Sequence, residues 1–237
     1  MTKPFGRPRH GFRIGEYMGL TLYYHPLASY CQKVLIALYE NDISFDARIV
    51  DLGDAKDRSA LQARWPLCKF PVIHDHERER DVPESSIIIE YLDQFFASKR
   101  KLIPDSLDEA LHVRLWDRIF DNYVQGPMQE IVGDHLRNAN GDLTTARATL
   151  ETAYGLIDEQ AKAGGWVASA DFSMADCAAA PALFYASTIQ SFPTNCTHLS
   201  AYFERLMERE SVRRVLDEAK PYFSMYPFSS RIPARFR

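Results

Sequence analysis

The sequence has no long hydrophobic run and few cysteines. No stretch approaches the roughly 20 apolar residues of a membrane-spanning helix, and residues 1–19, rich in Gly, Pro and Arg, lack the apolar centre of a secretion signal. The four cysteines form no CxxC pair and no Cys/His cluster; they are Cys31, Cys68, Cys177 and Cys196. We therefore expect a cytoplasmic protein with reduced thiols, no membrane contact and no metal site.

An excess of positive charge is also missing. The formal net charge is −4, so the chain carries no basic signature of nucleic-acid binding. No internal repeat or low-complexity tract is present, which excludes a solenoid. The composition, with 46% hydrophobic and 25% charged residues, is typical of a soluble globular protein, and 237 residues are enough for two small domains that each bury a core.

The first half of the chain alternates strand and helix patterns. Residues 20–25 favour a buried strand, apolar residues at spacings of three and four predict a helix over residues 30–41, and residues 44–51 alternate as a second strand. Residues 65–83 indicate a strand, a charged hairpin turn and another strand, and a helix follows from residue 84. This βαβ-ββα order predicts an α/β domain over residues 20–97, with residues 1–19 as a loosely held arm.

Every segment after residue 106 has a helical pattern. We predict helices over residues 107–138, 143–163, 173–190 and 198–219, and Ser173 and Asp176 are spaced as a capping box at the start of the third. The sequence therefore predicts a linker over residues 98–106 and an all-helical domain over residues 107–223. Residues 224–237 combine aromatic residues, arginines and prolines, which indicates an irregular tail suited to cover a cleft or a partner subunit.

Four motifs stand in a recognisable order: SYCQKVLIALYE from residue 29, KFPV from residue 69, PESSI from residue 83 and FSMADCAAAP from residue 172. Together they resemble the cytosolic glutathione S-transferases over about residues 20–223. The resemblance implies a thioredoxin-like N-terminal domain, an all-α C-terminal domain and a homodimer. It also implies that glutathione is the co-substrate, and that its thiolate attacks a small electrophile.

The resemblance assigns five residues to glutathione. Pro71 corresponds to the family's cis-proline, and Phe70 before it would pair its backbone with the ligand. Glu84 and Ser85 would hold the γ-glutamyl end, because a helix N-terminus favours a carboxylate and Glu84 offers its charge to the ammonium group. Lys69 would neutralise the glycine carboxylate, although an exposed lysine without a ligand and simple capping at Glu84 and Ser85 are the alternatives.

The position that usually activates the thiol is occupied by Ala28, which has neither a hydroxyl nor a thiol. Ser29, the next residue, is the best remaining hydroxyl to donate a hydrogen bond to the glutathione sulfur, unless it only caps the helix. Cys31 is the second candidate, either as a low-pKa thiol at a helix N-terminus or as a small packing residue. Two rivals to conjugation follow: a non-catalytic glutathione- or ligand-binding protein, and a Cys-dependent thiol transferase or isomerase.

The second substrate is expected between the domains, against the first long helix of the C-terminal half. From that helix we select Tyr123 and Met128 as pocket residues, and Tyr24 at the end of the first strand as wall or second donor. Arg114 and Arg118 add positive charge that favours an anionic acceptor, or they pair with Asp117 and Asp121.

Overall fold

A computed structural model describes residues 19–96 and 99–237. All but Gly19 of the predicted arm lies outside these residues, as do residues 97 and 98, where the predicted domain boundary falls. The described part of the N-terminal half comprises β1 (Leu20–Tyr24), α1 (Ser29–Glu40), β2 (Asp46–Ile49), α2 (Ala55–Arg64), β3 (Val72–Asp75), β4 (Arg80–Pro83) and α3 (Ser85–Phe95).

The four strands form one mixed sheet in the order β2-β1-β3-β4. β1 pairs with β2 in parallel and with β3 antiparallel, so that Leu22 lies opposite Ala47 on one side and Ile73 on the other. β3 and β4 form the antiparallel hairpin expected from the charged turn. The predicted βαβ and ββα units are therefore both present.

Helix α2 between these two units was not predicted. Only Leu61 of this helix is buried, so its sequence has no apolar period that would indicate a helix. Its start is fixed locally, because the Asp54 carboxylate accepts hydrogen bonds from the N–H groups of Lys56 and Asp57.

The C-terminal half is helical, as predicted, but more divided. It comprises α4 (Leu107–Ile119), a π-helical segment (Phe120–Gln125), α5 (Gly126–Arg137), α6 (Thr144–Ala161), α7 (Met174–Ile189), α8 (Thr197–Glu208) and α9 (Glu210–Ala219). The tail forms three short 3₁₀ turns at Lys220–Met225, Ser229–Arg231 and Ala234–Phe236.

Two predicted helices differ from regular α-helices in the structure. The helix predicted over residues 107–138 contains the π-helical segment between α4 and α5. The helix predicted over residues 198–219 is interrupted at Arg209, which has an extended backbone and binds the Glu40 carboxylate with two hydrogen bonds of 2.7 and 2.6 Å. Arginine itself favours a helix, so the sequence pattern did not show this break.

Helix α7 lies at the centre of the C-terminal half. It is buried along almost its whole length and packs against both α1 and α4, as expected of a helix that is apolar on all sides. The predicted capping box is confirmed, since the Asp176 carboxylate accepts hydrogen bonds of 2.9 Å from both the N–H and the Oγ of Ser173. One apolar core therefore joins the two halves of the chain.

Among the residues that the structure describes, no helix is both long enough and apolar enough to cross a membrane. Within the same residues there is no group of three or more His, Cys, Asp or Glu side chains arranged to hold a metal ion.

Candidate active site

A cavity of about 640 Å³ opens between the start of α3 and helix α4. All five residues that the resemblance assigns to glutathione line this cavity: Lys69, Phe70, Pro71, Glu84 and Ser85. The first three precede β3, and Glu84 and Ser85 follow β4. The antiparallel pairing of β3 with β4 places these two segments side by side. The structure thus brings the predicted binding residues together, while their binding role stays a prediction.

The backbone around this cavity has two special conformations. The peptide bond between Phe70 and Pro71 is cis, as the resemblance implies, and Glu84 has a positive φ of 68° immediately before α3. Ser85, Ser86 and Ile87, the first three residues of α3, line the cavity. Because the N–H groups of a first helical turn have no acceptor within the helix, this end of α3 is suited to bind an anion.

A cluster of buried charges supports the start of α3. The Lys33 ammonium lies 2.6 Å from Asp117, 2.9 Å from Asp121 and 2.8 Å from the Oγ of Ser86. Arg118 closes the cluster from the cavity side, at 2.6 Å from Asp117 and 2.5 Å from Asp121. Two cations face two carboxylates, so the cluster binds α1, α3 and α4 together without leaving a buried charge uncompensated.

Both arginines of α4, Arg114 and Arg118, form ion pairs with carboxylates. Arg118 belongs to the buried cluster, and Arg114 binds the Glu90 carboxylate with hydrogen bonds of 2.9 and 3.0 Å. Both line the first cavity, beside the start of α3. Of the two interpretations of these arginines, pairing with acids agrees with the structure, although Arg114 pairs with Glu90 and not with Asp117 or Asp121.

A second cavity of about 470 Å³ adjoins the first. Its wall is mainly apolar and combines the start of α1, helix α5 and the tail, including Leu27, Ala28, Met128, Val132, Leu136, Met225, Tyr226 and Pro227. Phe70 and Gln129 line both cavities, so the two spaces meet at these side chains. The predicted pocket residue Met128 is thus present at this site.

Ser29 lines the second cavity and Cys31 does not. Ala28 occupies the N-cap position of α1 and Ser29 is the first helical residue, so the Ser29 hydroxyl is not used as a helix cap. Its Oγ is buried and accepts a hydrogen bond from the Nε2 of Gln125. The Cys31 side chain is 0% exposed, and burial raises the pKa of its thiol, which disfavours the thiolate. The structure therefore corrects the low-pKa interpretation of Cys31 in favour of the packing one.

Two further sequence assignments need correction. Tyr24 is buried at the end of β1 and lines a different cavity, with Tyr39 and Glu218. Tyr123 is half exposed in the π-helical segment and lines neither the first nor the second cavity. A π-turn changes the angular phase of the residues along a helix, so the regular helical spacing used to select Tyr123 does not hold there.

Comparisons with known proteins decide the family. The family model described as "Glutathione S-transferase, N-terminal domain" matches residues 22–100, and "Glutathione S-transferase, C-terminal domain" matches residues 104–205. The chain belongs to the glutathione S-transferase family. Its thioredoxin-like N-terminal domain and all-α C-terminal domain are those that the motifs implied.

Curated members of the family are distant relatives. Glutathione S-transferase U24 of Arabidopsis thaliana is 28% identical over 191 residues, which cover 79% of this chain and 85% of the relative. Glutathione S-transferase-like protein OpS6 of Beauveria bassiana is 26% identical over 211 residues, covering 83% of this chain and 94% of the relative.

Solved structures show the same fold. A glutathione S-transferase from Methylobacillus flagellatus, solved with glutathione bound, has a TM-score of 0.72 at 22% identity and covers 83% of this chain and 98% of its own. A delta-class glutathione transferase from Nilaparvata lugens has a TM-score of 0.78 at 16% identity and covers 90% of this chain and 99% of its own.

In this glutathione S-transferase family member, His25 lines the second cavity and was not predicted from the sequence. The Nδ1 of its imidazole accepts a hydrogen bond of 3.2 Å from the N–H of Leu27, which leaves the proton on Nε2. Burial lowers the pKa of His25, so the ring is a neutral donor at neutral pH. Its place directly after β1 and three residues before Ala28 was the available signal.

Gln125 and Gln129 were missed as well. They stand four residues apart around the start of α5; Gln125 contacts Ser29 and Gln129 lines both cavities. Their spacing of one helical turn is visible in the sequence, but the surface that they face is set by the packing of the two domains.

Proposed function

We propose that this protein is a glutathione transferase. Reduced glutathione would bind in the first cavity, and its thiolate would attack a small, uncharged electrophile held in the second. The observation that carries the proposal is the junction of the two cavities at Phe70 and Gln129. A thiol bound through one cavity therefore has direct access to a ligand in the other.

The chemistry of the first cavity fits the tripeptide from end to end. The free N–H groups at the start of α3 and the Ser85 hydroxyl suit the γ-glutamyl carboxylate, and the exposed Glu84 carboxylate suits the ammonium group beside it. Phe70 offers its backbone, and Lys69 offers a positive charge for the glycine carboxylate. The Methylobacillus flagellatus relative, solved with glutathione bound, supports the same ligand here.

Activation of the thiol is assigned to Ser29 at the start of α1. A hydrogen bond from a hydroxyl stabilises the thiolate more than the thiol and so lowers the pKa of the thiol from its usual value of about 8.5. The N-terminal end of the α1 dipole acts in the same direction. Since Ala28 offers only its backbone, Ser29 is the hydroxyl residue of α1 that lines the second cavity, whereas Tyr30 lines the first.

The wall of the second cavity indicates the kind of acceptor. Among the described residues, the only carboxylate on this wall is that of Asp51 and no lysine or arginine lines it. An anionic acceptor would therefore find no counter-charge, whereas an uncharged apolar electrophile would bury its surface against α5 and the tail. A volume of about 470 Å³ admits a small molecule of this kind.

The experiment that tests this proposal combines binding with catalysis. Reduced glutathione is titrated calorimetrically into the purified protein, and conjugation of an uncharged aromatic electrophile is followed for wild type, Ser29→Ala and Cys31→Ala. We expect one glutathione per subunit and a roughly tenfold to hundredfold lower kcat/KM for Ser29→Ala, because a hydrogen bond to a charged group contributes about 1.5–3 kcal/mol.

A matched control is Ser200→Ala, which removes a hydroxyl that donates a hydrogen bond to the Cys196 carbonyl at the start of α8. It should conjugate like wild type. No binding of millimolar glutathione would overturn the proposal in favour of a protein that keeps the fold without the ligand. Binding without conjugation of any electrophile would favour the non-catalytic binding protein, and loss of activity in Cys31→Ala alone would favour thiol transfer.

We also propose that the protein forms a homodimer through α4. Three leucines one helical turn apart, Leu107, Leu111 and Leu115, are 81%, 63% and 54% exposed and form an apolar stripe along this helix. The Glu90–Arg114 ion pair holds α3 beside α4. A second copy is the occupant that such a stripe suits, because a two-fold axis pairs the leucines of one α4 with those of the other.

A further inference from the structure

The Ser29 hydroxyl has a buried partner in the other domain. Gln125, the last residue of the π-helical segment, is 2% exposed and donates a hydrogen bond from its Nε2 to the Ser29 Oγ. The two residues are 96 positions apart in sequence. Ser29, which lines the second cavity, therefore receives a hydrogen bond from the C-terminal domain.

Among the described residues, the Gln125 amide makes its hydrogen bond to Ser29 through its nitrogen and none through its oxygen. Its Oε1 is buried and has no hydrogen-bond partner among the described residues. An unpaired buried amide oxygen is unfavourable, and an apolar side chain of similar length would avoid it. The bond to Ser29 is therefore the side-chain hydrogen bond that Gln125 makes among the described residues.

This bond decides which way the serine proton can point. A serine hydroxyl has one proton to donate and two lone pairs that accept. Since the Gln125 N–H occupies a lone pair, the Ser29 proton stays available for an acceptor in the cavity. A hydroxyl that accepts one hydrogen bond is also polarised into a stronger donor of the next.

We propose that Gln125 is a positioning residue that keeps Ser29 as a hydrogen-bond donor to the glutathione sulfur and thereby sets the pKa of the bound thiol. The inference rests on the proposed function, in which Ser29 is that donor. It explains how a hydroxyl one position beyond Ala28 can be used, because the neighbouring domain holds the oxygen in place. The wide turn of the π-helical segment supplies the side chain that does so.

The test measures the pKa of the bound thiol from the ultraviolet absorbance of the thiolate as a function of pH. It compares wild type with Gln125→Met, which retains the side-chain length without the amide, and with Gln125→Glu. We expect Gln125→Met to raise the thiol pKa by about one unit. At a pH below the pKa, this rise lowers the fraction of thiolate roughly tenfold. Gln125→Glu should raise it further, because a carboxylate accepts the Ser29 proton and repels the thiolate.

The design separates the inference from the proposed function. Ser29→Ala should raise the thiol pKa, and adding Gln125→Met to it should then change nothing more, since the two residues act through one bond. Gln160→Met is the control, a glutamine whose amide donates to the Val167 carbonyl away from both cavities, and it should leave the thiol pKa unchanged. Calorimetry with glutathione reports whether each variant still binds.

Three results would overturn the inference. If Ser29→Ala raises the thiol pKa while Gln125→Met and Gln125→Glu leave it unchanged, Gln125 does not act on Ser29. If the Gln125 variants weaken glutathione binding without a change in thiol pKa, the residue has a structural role only. If Ser29→Ala itself leaves the thiol pKa unchanged, the assignment of Ser29 is wrong and the inference fails with it.

Discussion

The Lys33 ammonium lies 2.6 Å from the Asp117 carboxylate, and both side chains are only 1% exposed. This ion pair joins α1 of the N-terminal domain to α4 of the C-terminal domain, directly behind the start of α3. Ser86 and Asp121 provide further partners for the ammonium. The charges at the candidate glutathione cavity are therefore held by a fixed arrangement of three helices.

Lys33→Met should destabilise the protein strongly. The variant removes one cation and leaves two buried carboxylates with Arg118 as their remaining charged partner, which costs about 3 kcal/mol in the free energy of unfolding. Urea unfolding monitored by circular dichroism measures the loss. Lys162→Met, which breaks an exposed pair with Glu159 in α6, is the matched control and should unfold like wild type. Equal midpoints for the two variants would contradict a supporting role of the cluster.

Three of the four cysteines, Cys31, Cys68 and Cys177, should differ sharply in reactivity. Burial raises the pKa of the Cys31 and Cys177 thiols, whereas Cys68 is partly exposed. Iodoacetamide treatment of the native protein, followed by peptide mass spectrometry, should therefore label Cys68 and spare Cys31 and Cys177 until the protein is unfolded. Labelling of Cys31 as fast as Cys68 would restore it as a thiol-transfer candidate.

Glu40 should make stability depend on pH in the acidic range. Burial opposes ionisation of this carboxylate, but hydrogen bonds from Arg209 and Ser211 outweigh burial and lower its pKa in the folded protein. The folded state therefore holds the proton less tightly than the unfolded chain. The resulting stabilisation is fully present above the unfolded pKa of about 4.3, and is lost as pH falls through the folded pKa.

The variant Glu40→Gln removes this contribution. The difference in unfolding free energy between wild type and Glu40→Gln should be constant near neutral pH and shrink below about pH 4.3. Urea unfolding at a series of pH values measures it, with Glu159→Gln as an exposed control that shows little dependence. A difference that stays constant down to pH 3 would mean that the pKa of Glu40 is not lowered in the folded state.

Leu111→Glu should produce a monomer. The substitution places a charge in the middle of the α4 stripe, where the proposed dimer would bury it without a partner. Sedimentation velocity should show a dimer for wild type and a monomer for the variant. Leu156→Glu, at an exposed leucine of α6, should remain dimeric. A monomeric wild type would refute the proposed interface, with no bearing on the glutathione site.

The outline of the fold was readable from the sequence where residues interact with near neighbours. The order of strands and helices, the apolar spacing of α1 and the capping box at Ser173 and Asp176 are present, and β2 is a strand although its burial does not alternate. Helix α2 was not predicted because Leu61 is its one buried residue, so its sequence has no periodic pattern of apolar residues. The break at Arg209 was not predicted because the contact with Glu40 is tertiary and arginine itself favours a helix.

The sequence by itself determined the family motifs, the two-domain order and the residues gathered around Phe70 and Glu84, because short motifs at fixed spacing specify local backbone geometry. Only the tertiary structure decided which side chains reach the second cavity. Ser29 lines it, whereas the Cys31 side chain is buried in the core. Tyr24 lines a different cavity, and Tyr123 is half exposed outside both candidate cavities. These outcomes depend on how α1, α5 and the tail pack across the domain boundary. A contact between residues as far apart in sequence as Ser29 and Gln125 produces no periodic pattern from which it could be predicted.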